Sequence, residues 1–329
     1  MILSSHETIA RVLPNIPDGV CVQAHQQTVH VQAPFLFEQI SAHTSGKGCI
    51  KNIAVFPGIE ASYLCFLAES AHFQHVPLAN VLEIFYCIQG RVGWNLDDGT
   101  ALYLGHGDLT LHSRDRCADS SMLFPLGYCS GLSIGIDFDR LGAAMPPLLL
   151  EAALDAGSLR RKYANRLVTI STCSSLDHIF TPLCEAPEKL RSVYLQLKLQ
   201  ELLLFLADYA PLENSHPQFP AQQTELVREI HDELLRHLDQ RITIDMLTSR
   251  YPINSTTLKR VFKAVYGQPI ASYMKSVRMR TAATLLRESD DSIADIAAQV
   301  GYTTQSKFTQ AFKAATGILP KDLRKQKRS

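Results

Sequence analysis

Features that mark several whole classes of protein are missing from this sequence of 329 residues. Its longest strongly apolar run covers residues 202–207, whereas a helix that spans a membrane needs about 20 apolar residues. The N-terminal stretch does not show a positive segment followed by an apolar one, which is the pattern of a secretory signal peptide. The sequence therefore predicts a cytoplasmic protein without a membrane partner.

Motifs for metal ions or redox chemistry are also missing from the eight cysteines. No two of them form a C-x-x-C pair, no zinc-finger spacing occurs, and all of them lie before residue 185. In a chain without a secretory signal, such cysteines are typical of reduced and mostly buried thiols. A redox-sensing or metal-sensing role is the alternative.

The chain has no net charge, since 32 basic residues balance 32 acidic ones. This balance hides an asymmetry, because residues 240–329 contain 16 Lys and Arg but only 6 Asp and Glu. The preceding part holds the other 16 basic and 26 acidic residues. A basic C-terminal part next to an acidic N-terminal part predicts a polyanionic partner for the former only.

A unit that occurs twice is the main feature of the basic part. The pattern F-K-A-x-x-G is found at 262–267 and again at 312–317, and matching aspartates, Asp245 and Asp295, precede it. The apolar spacing in each copy predicts a short helix, a turn and a second helix with a polar outer face. This is helix-turn-helix architecture, in which the second helix enters the major groove of DNA. The helix starts are marked by residues of the types that cap helices, namely Thr243, Asn254 or Ser255, Ser292, and Thr303 or Thr304.

The second helix of each unit is expected to have a buried face and an outer face. The expected buried residues are Leu258, Val261, Phe262 and Val265 in the first copy and Phe308, Ala311, Phe312 and Ala315 in the second. The expected outer residues are Thr256, Lys259, Arg260 and Lys263, followed in the second copy by Gln305, Ser306, Thr309, Gln310 and Lys313. Because Arg and Lys suit guanine and Gln suits adenine, these outer faces are suited to reading base edges.

Residues 270–287 predict one connecting helix between the two copies. At about 1.5 Å per residue this helix would be about 27 Å long. Such a length can hold the two recognition helices about one turn of DNA, or about 34 Å, apart. The two units are therefore expected to enter successive major grooves on one face of the duplex.

Residues 226–324 resemble the AraC/XylS family of transcription regulators. The resemblance is carried by L-x-R-x-F-K at 258–263, G-x-P at 267–269, I-x-x-I-A at 293–297, G-Y at 301–302 and F-K at 312–313. It implies base contacts by Thr256, Lys259, Arg260, Gln305, Ser306, Thr309 and Gln310. The positive charge of Lys263, Lys313, Lys321 and Arg324 predicts that these residues contact phosphates. Double-stranded promoter DNA and RNA polymerase are the implied partners, and activation is the implied mode, although the residues themselves do not separate activation from repression. The chain departs from the family at Gln310, where the family often has Arg, and at Pro252 and Ile253, which replace a small polar turn.

The acidic part predicts many short strands up to about residue 160. Segments such as 50–56, 61–67, 82–88, 91–96 and 132–138 are rich in strand-forming residues and are bounded by turn residues. The D-D-G-T sequence at 97–100 is typical of a hairpin. We expect a sandwich or a small barrel.

This part resembles a cupin-like sensor domain. Glu83 with Gly90, and Gly107 with Asp108, match parts of the two cupin motifs. Cupin enzymes also carry H-x-H shortly before that glutamate, and Leu78 and Ala79 occupy those positions here. We therefore expect no metal site, no other cofactor and no catalytic residues, and instead a barrel that encloses a small-molecule effector. The nearby histidines, expected to be polar or pocket-lining groups, are His72, His75, His106 and His112.

The pattern changes to helix between about residues 147 and 210. Helices are expected over 148–155, 175–184 and 188–209, and the last of these carries two apolar rows. One row exceeds what a single core-facing side needs, which predicts homodimerisation through Leu197, Glu201 and Leu204. Packing of both rows on the β-rich part is the alternative.

The predicted fold class is α+β in two domains. Residues 1–210 form a cupin-like sensor and dimerisation domain, 211–222 a proline-containing linker, and 223–329 an all-α domain with two helix-turn-helix units on a linker helix. The predicted function is sequence-specific transcription regulation under the control of a small molecule, without enzyme activity. The alternatives are a cupin-type metal enzyme fused to a DNA-binding anchor, and a regulator whose N-terminal domain dimerises but binds no ligand.

Overall fold

A computed structural model of the protein describes residues 19–25, 41–117, 119–164, 166–210 and 216–327. The chain divides into two compact units, Met1–Gln218 and Phe219–Ser329, which are treated separately below. Most of the predicted linker, residues 211–215, lies outside the described residues, as does the N-terminal stretch that was searched for a signal peptide. The predicted domain boundaries stay a prediction.

The N-terminal unit is built on two β-sheets. Its strands are β1 (Gly19–His25), β2 (Ser41–Thr44), β3 (Lys47–Phe56), β4 (Ile59–Leu67), β5 (Ser70–Gln74), β6 (Val81–Gly90), β7 (Val92–Asn95), β8 (Thr100–Leu104), β9 (Leu109–Ser113), β10 (Asp119–Leu123), β11 (Cys129–Asp137) and β12 (Val168–Ile170). The first sheet has the order β1-β3-β4-β11-β6-β9-β12, in which β1 is parallel to β3 and the other pairs are antiparallel. The second sheet contains β8-β7-β10-β5-β2 in antiparallel pairs.

The two sheets pack face to face around an apolar core. Ile50, Leu64 and Phe85 from the first sheet meet Phe73 and Met122 from the second. Alternate residues of each strand point to opposite faces, so the same strands of the first sheet also present a second apolar face. The β-rich N-terminal domain that the sequence predicts is thus confirmed as a sandwich.

Helices cover that second face. They are α1 (Phe138–Ala143), α2 (Pro147–Glu151), α3 (Ala156–Tyr163), α4 (Ser174–Glu185) and α5 (Arg191–Asp208), the last preceded by a 3₁₀ turn at Glu188–Leu190. Tyr86 of β6 stacks on Phe180 of α4 with ring centres 3.8 Å apart. The helices and the first sheet therefore share one large core, separate from the core between the sheets.

Two details of the predicted helices are wrong. The helix expected over 148–155 ends at Glu151, because Ala153 adopts a left-handed conformation with φ of 54°. Asp155 then caps the next helix by accepting hydrogen bonds from Gly157 N and Ser158 N. The helix expected over 175–184 begins one residue earlier, at Ser174, with Cys173 as its N-cap residue and no side chain bonded to the backbone there.

The C-terminal unit is helical, as the sequence predicts. A two-residue strand (β13, Phe219–Pro220) precedes α6 (Ala221–Arg236), α7 (Ile244–Arg250), α8 (Ser255–Tyr266), α9 (Ile270–Glu288), α10 (Ile293–Gln299), α11 (Gln305–Thr316) and α12 (Pro320–Lys327). Helix α6 begins at Ala221, within the range predicted as linker. None of the described helices of the chain is both long enough and apolar enough to cross a membrane.

Candidate nucleic-acid interface and ligand cavity

The two repeated segments fold into matching helix pairs. In both copies a seven-residue helix (α7 or α10) is followed by a twelve-residue helix (α8 or α11). Each twelve-residue helix ends at a glycine with φ of 78°, Gly267 or Gly317. Because glycine adopts this conformation without the steric penalty of a side chain, both helices end at the same point of the repeat.

Local capping explains why these helices begin where they do. The side chain of Thr243 accepts a hydrogen bond from Met246 N at 3.3 Å, and that of Asn254 accepts one from Thr257 N at 2.9 Å. In the second copy Ser292 and Thr304 take the same roles, at 3.0 and 3.3 Å. At the two recognition helices the sequence left two candidates for the cap. The capping residue is Asn254 rather than Ser255 in the first helix and Thr304 rather than Thr303 in the second.

Helix α9 is the common support of both units. Its first half contributes Tyr273, whose ring packs against Phe262 of α8 with centres 5.6 Å apart. Its second half contributes Met279 and Leu286 to the core that contains Phe308 of α11. With 19 residues the helix is about 28 Å long at 1.5 Å per residue, so one continuous helix connects the two units.

The recognition helix of the first unit presents the predicted polar residues. Thr256, Lys259, Arg260 and Lys263 are exposed, whereas Phe262 is buried. The guanidinium of Arg260 lies over the ring of Phe219, 5.4 Å from its centre, a cation–π contact that sequence reasoning missed. Phe219 is 41 residues away in the chain, and no local pattern indicates this pairing.

The recognition helix of the second unit is polar but less basic. Gln305, Ser306, Gln310 and Lys313 are exposed, and Thr309 is half-buried. The expectation that Ala315 is buried is wrong, since it lies exposed close to the end of the helix, beyond the core residues Phe308 and Phe312. Lys307, which sequence reasoning did not select, is exposed in the first turn of the same helix.

The predicted phosphate-contacting residues fall into two groups. Lys263, Lys313 and Lys321 are exposed. Arg324 is half-buried, and its Nε and one of its terminal nitrogens are inaccessible and make no hydrogen bond. Arg324 would have to turn outward to reach a phosphate.

Helix α5 has one buried and one exposed apolar side. Leu195, Leu199, Leu202 and Leu206 are buried among the core residues. On the other side Leu197 is 58% exposed and Leu204 is 38% exposed. Glu201 lies between them and pairs with Lys198 at 2.7 Å. The residues predicted for dimerisation thus form one stripe on the solvent side.

A cavity of about 490 Å³ opens in the N-terminal unit. Its lining includes Trp94, Asp97, Asp98, His112 and Asp119, which come from four separate strands and turns. Ser120 also lines it and, with Trp94 and His112, continues into a smaller void of about 50 Å³ between the sheets. The cavity has the volume of a small-molecule site.

A buried charge pair lies next to the smaller void. Glu83 accepts a hydrogen bond from Ser133 at 2.9 Å, and Arg114, which is 1% exposed, lies 3.8 Å from it. Burial alone would raise the pKa of Glu83, but the charges of Arg114, His112 and His75 hold it below its usual value. Glu83 is therefore a carboxylate whose charge is balanced by Arg114.

The four histidines that were expected to be polar or pocket-lining groups have different surroundings. His75 and His112 line the void beside Glu83. His72 is half-buried and lies 3.1 Å from Asp119, while His106 contacts the backbone oxygen of Ile88. Within the described residues no three His, Cys, Asp or Glu side chains lie together in a way that could hold a metal ion.

The cysteines are less buried than expected. Cys87 and Cys129 are buried, but Cys173 and Cys184 are exposed. Cys65 lies opposite Cys49 in neighbouring strands, and burial, followed by the neighbouring thiol, raises the pKa of Cys65 to about 12. A protonated thiol is a poor nucleophile, so Cys65 is not poised for redox chemistry at neutral pH.

Comparisons with known proteins agree with the repeated helix pairs. A family described as a helix-turn-helix domain matches residues 247–326. The thermoregulatory protein LcrF of Yersinia pestis is 24% identical over 266 residues, which cover 75% of this chain and 92% of that protein. The regulatory protein SoxS of Salmonella typhimurium is 28% identical over 100 residues, which cover 30% of this chain and 94% of that protein. A solved structure of a transcriptional regulator with an AraC-type DNA-binding domain, from Chromobacterium violaceum, is 20% identical, with a TM-score of 0.30, and the match covers 32% of this chain and 96% of that one.

Proposed function

We infer that this chain, a DNA-binding transcription regulator whose C-terminal domain belongs to the AraC/XylS family, reads promoter DNA with both helix-turn-helix units and answers to a small molecule. The observation that carries this proposal is the pair of matching units on the 19-residue helix α9. A single unit would need only one exposed recognition helix, whereas α8 and α11 both present polar residues.

The two units read DNA unequally. On α8 the outer residues Lys259 and Arg260 can each bind guanine through its major-groove acceptors. On α11 the outer residues Gln305 and Gln310 are neutral and suit adenine, with Ser306 and Thr309 as shorter donors and acceptors. The first unit therefore contributes more of the electrostatic affinity, and the second contributes mainly sequence preference.

Lysines around both recognition helices fix the domain on the DNA backbone. Lys263 and Lys313 occupy equivalent places in the two copies, and Lys321 is exposed on α12. Each phosphate that they neutralise releases counterions, so binding weakens steeply as the salt concentration rises. Arg324 joins them only after its side chain turns outward.

The protein functions as a homodimer that contacts a second copy through helix α5. Leu197 and Leu204 expose apolar surface on the side of the helix that faces away from its own core. Exposed apolar stripes of this kind mark protein interfaces. A dimer would place four helix-turn-helix units on the promoter, where RNA polymerase is the proposed protein partner.

Control by the ligand passes through the end of the N-terminal unit. Gln218 lines the 490 Å³ cavity and lies 3.4 Å from Thr100. The next residue in the chain is Phe219, whose ring contacts the guanidinium of Arg260 on the first recognition helix. A ligand that moves Gln218 is thereby coupled to a residue that reads DNA, and Gln218→Ala should weaken the effect of the ligand while DNA binding persists.

Footprinting with hydroxyl radicals tests the DNA-reading part of the proposal. The purified full-length protein is incubated with the DNA upstream of its own coding region at moderate ionic strength. We expect two protected patches per protomer on one face of the duplex, about one helical turn apart. Absence of protection by folded protein would contradict the proposal, and one patch per protomer would restrict reading to one unit.

A further inference from the structure

We propose that the 490 Å³ cavity of the N-terminal unit binds an organic cation, that is, an amine, guanidinium or quaternary ammonium compound. This inference names the ligand class within the proposed function and rests on that function for its regulatory meaning. The inference depends on three observations: the volume of the cavity, the indole ring of Trp94 in its lining, and the carboxylates around it.

Apart from the imidazole of His112, the ionisable groups of the cavity's described lining are all carboxylates. Three carboxylates, those of Asp97, Asp98 and Asp119, line it, and none of its described lining residues is Lys or Arg. Asp98 accepts hydrogen bonds from both the backbone and the hydroxyl group of Thr100, which hold its pKa below the usual value. Neighbouring like charges repel, so a cationic ligand relieves this repulsion while an anion increases it.

Trp94 gives the cavity an aromatic surface. Phe85 packs against it edge to face, with ring centres 5.5 Å apart and planes at 80°, which fixes the indole. The face of an indole attracts ammonium and guanidinium groups more strongly than other aromatic side chains do. Trp94 and the carboxylates together provide the two kinds of group that recognise an organic cation.

The buried guanidinium of Arg114 lies near the cavity but does not offset the preference of the cavity for a cationic ligand. Arg114 is 1% exposed and lies 3.8 Å from Glu83, which stays ionised. The two charges compensate each other beside the inner void. An anionic ligand would therefore meet three carboxylates without gaining an available positive charge from this pair.

The chain has only one tryptophan, so its tryptophan fluorescence comes from Trp94, which lines this cavity and the smaller void that continues from it. The full-length protein is titrated with spermidine, agmatine and choline chloride at constant ionic strength. Succinate, glycerol and calcium chloride serve as an anion, a neutral polyol and a metal cation. We expect a saturable change in emission with at least one organic cation and with none of the three controls.

Charge-neutral variants test whether the carboxylates are responsible. Asp97→Asn and Asp119→Asn keep the shape of the side chain and remove one charge each, and each should weaken binding about tenfold, or about 1.4 kcal/mol. Glu69→Gln is the matched control, because Glu69 is exposed in the same unit and does not line the cavity. Thermal melting of each variant shows that it remains folded.

Three results would overturn the inference: no saturable response to any of the three organic cations, tighter binding of succinate or calcium, or equal affinity in the charge-neutral variants. A DNA footprint measured on the same protein separates the two proposals. Cation binding without protected DNA supports the cavity assignment and contradicts the proposed function. Protected DNA without cation binding supports DNA reading by the protein and contradicts the cavity assignment.

Discussion

Arg260 and Lys263 lie three residues apart on the exposed side of α8, yet we assign them different roles. Arg260 is proposed to read a base, while Lys263 is proposed to hold a phosphate. A contact to a base edge depends on sequence, whereas a contact to a phosphate does not. The two residues therefore form a matched pair of equal charge.

Arg260→Ala should cost about 1–3 kcal/mol in binding to the specific site and relax the preference at one or two base pairs. Lys263→Ala should weaken binding to all sequences alike and lower the salt slope by about 1. Binding titrations on specific and scrambled duplexes at several salt concentrations measure both quantities. A loss that is uniform across sequences for Arg260→Ala would reassign Arg260 to the backbone.

Asp108 connects the first sheet of the N-terminal unit with His216, near the end of that unit. Its carboxylate accepts hydrogen bonds from Gly105 N at 2.8 Å and Thr172 N at 3.2 Å, and His216 Nε2 lies 3.1 Å away. Burial would raise the pKa of Asp108, but the bond from His216 and the backbone bonds lower it below the usual value. Asp108 thus favours the folded state in its ionised form.

The lowered pKa gives Asp108 a defined pH dependence. Its stabilisation is fully present above the unfolded pKa of about 3.9 and is lost as the pH falls through the lower folded value. Asp108→Asn should therefore lower the free energy of unfolding by about 1–3 kcal/mol at pH 7, and the difference from the wild type should shrink below about pH 4. Urea unfolding across this pH range provides the measurement, and a difference that does not change with pH would contradict the role of the charge.

At the scale of elements, two glycines of the second helix-turn-helix unit allow two causes of destabilisation to be compared. One is a backbone conformation that disfavours a side chain, and the other is a steric clash of an added Cβ atom with its neighbours. Gly301 has φ of 79° and Gly317 has φ of 78°. A Cβ atom at Gly301 would lie 2.5 Å from the backbone oxygen of Leu238, while one at Gly317 would meet nothing within 4 Å. The two positions thus share the backbone conformation and differ in the surrounding atoms.

Gly317→Ala should destabilise the C-terminal unit by about 1–2 kcal/mol, because a left-handed conformation disfavours a side chain. Gly301→Ala should cost clearly more, since the loop that contains Leu238 must also move. Thermal unfolding of the two variants beside the wild type makes the comparison. Equal destabilisation would show that the loop near Leu238 adapts without cost.

Helix α5 provides the second prediction at this scale. Leu197→Glu with Leu204→Glu should convert dimers to monomers in sedimentation velocity, because two charges would be buried in the interface. Leu148→Glu is the control, as Leu148 is 55% exposed on α2 of the same unit. A dimer that survives the double substitution would place the interface elsewhere.

Helices whose ends are fixed by residues adjacent in the sequence could be predicted from the sequence. Helix α7 begins after Thr243, as predicted, because this residue caps it locally, and α8 and α11 end at the repeated glycines. The helix expected at 148–155 was too long because its composition gives no sign of the left-handed Ala153. The limits of that helix depend on packing rather than on its own sequence.

The candidate sites show the same division. The outer residues of the recognition helices follow from helical periodicity, and all of them are exposed except Thr309, which is half-buried. Among the residues expected to be buried, Ala315 is exposed. A ligand site in the N-terminal part was expected, but its lining could not be predicted, because Trp94, Thr110 and Gln218 are distant in the chain and come together only in the folded unit. The contact of Arg260 with Phe219 was missed for the same reason.

At the scale of the whole molecule, the two parts of the chain differ in the sign of their charge and in the function that we propose for each. The part from residue 240 onward is basic and contains both DNA-reading units, while the preceding part is acidic and contains the cavity. The acidic part adds no attraction to DNA, so affinity for the promoter comes from the C-terminal unit. Acidic lining residues around the cavity would at the same time favour cations.

Selection of binding sites from random duplex DNA tests the central claim that both units read sequence. The wild-type protein should select two conserved blocks per protomer, whose centres lie about 10 base pairs apart, one for each recognition helix. The variant Gln305→Ala with Gln310→Ala should lose the preference in one block and keep the other. A single selected block per protomer for the wild type, or loss of both blocks in the variant, would contradict reading by two independent units on one helix.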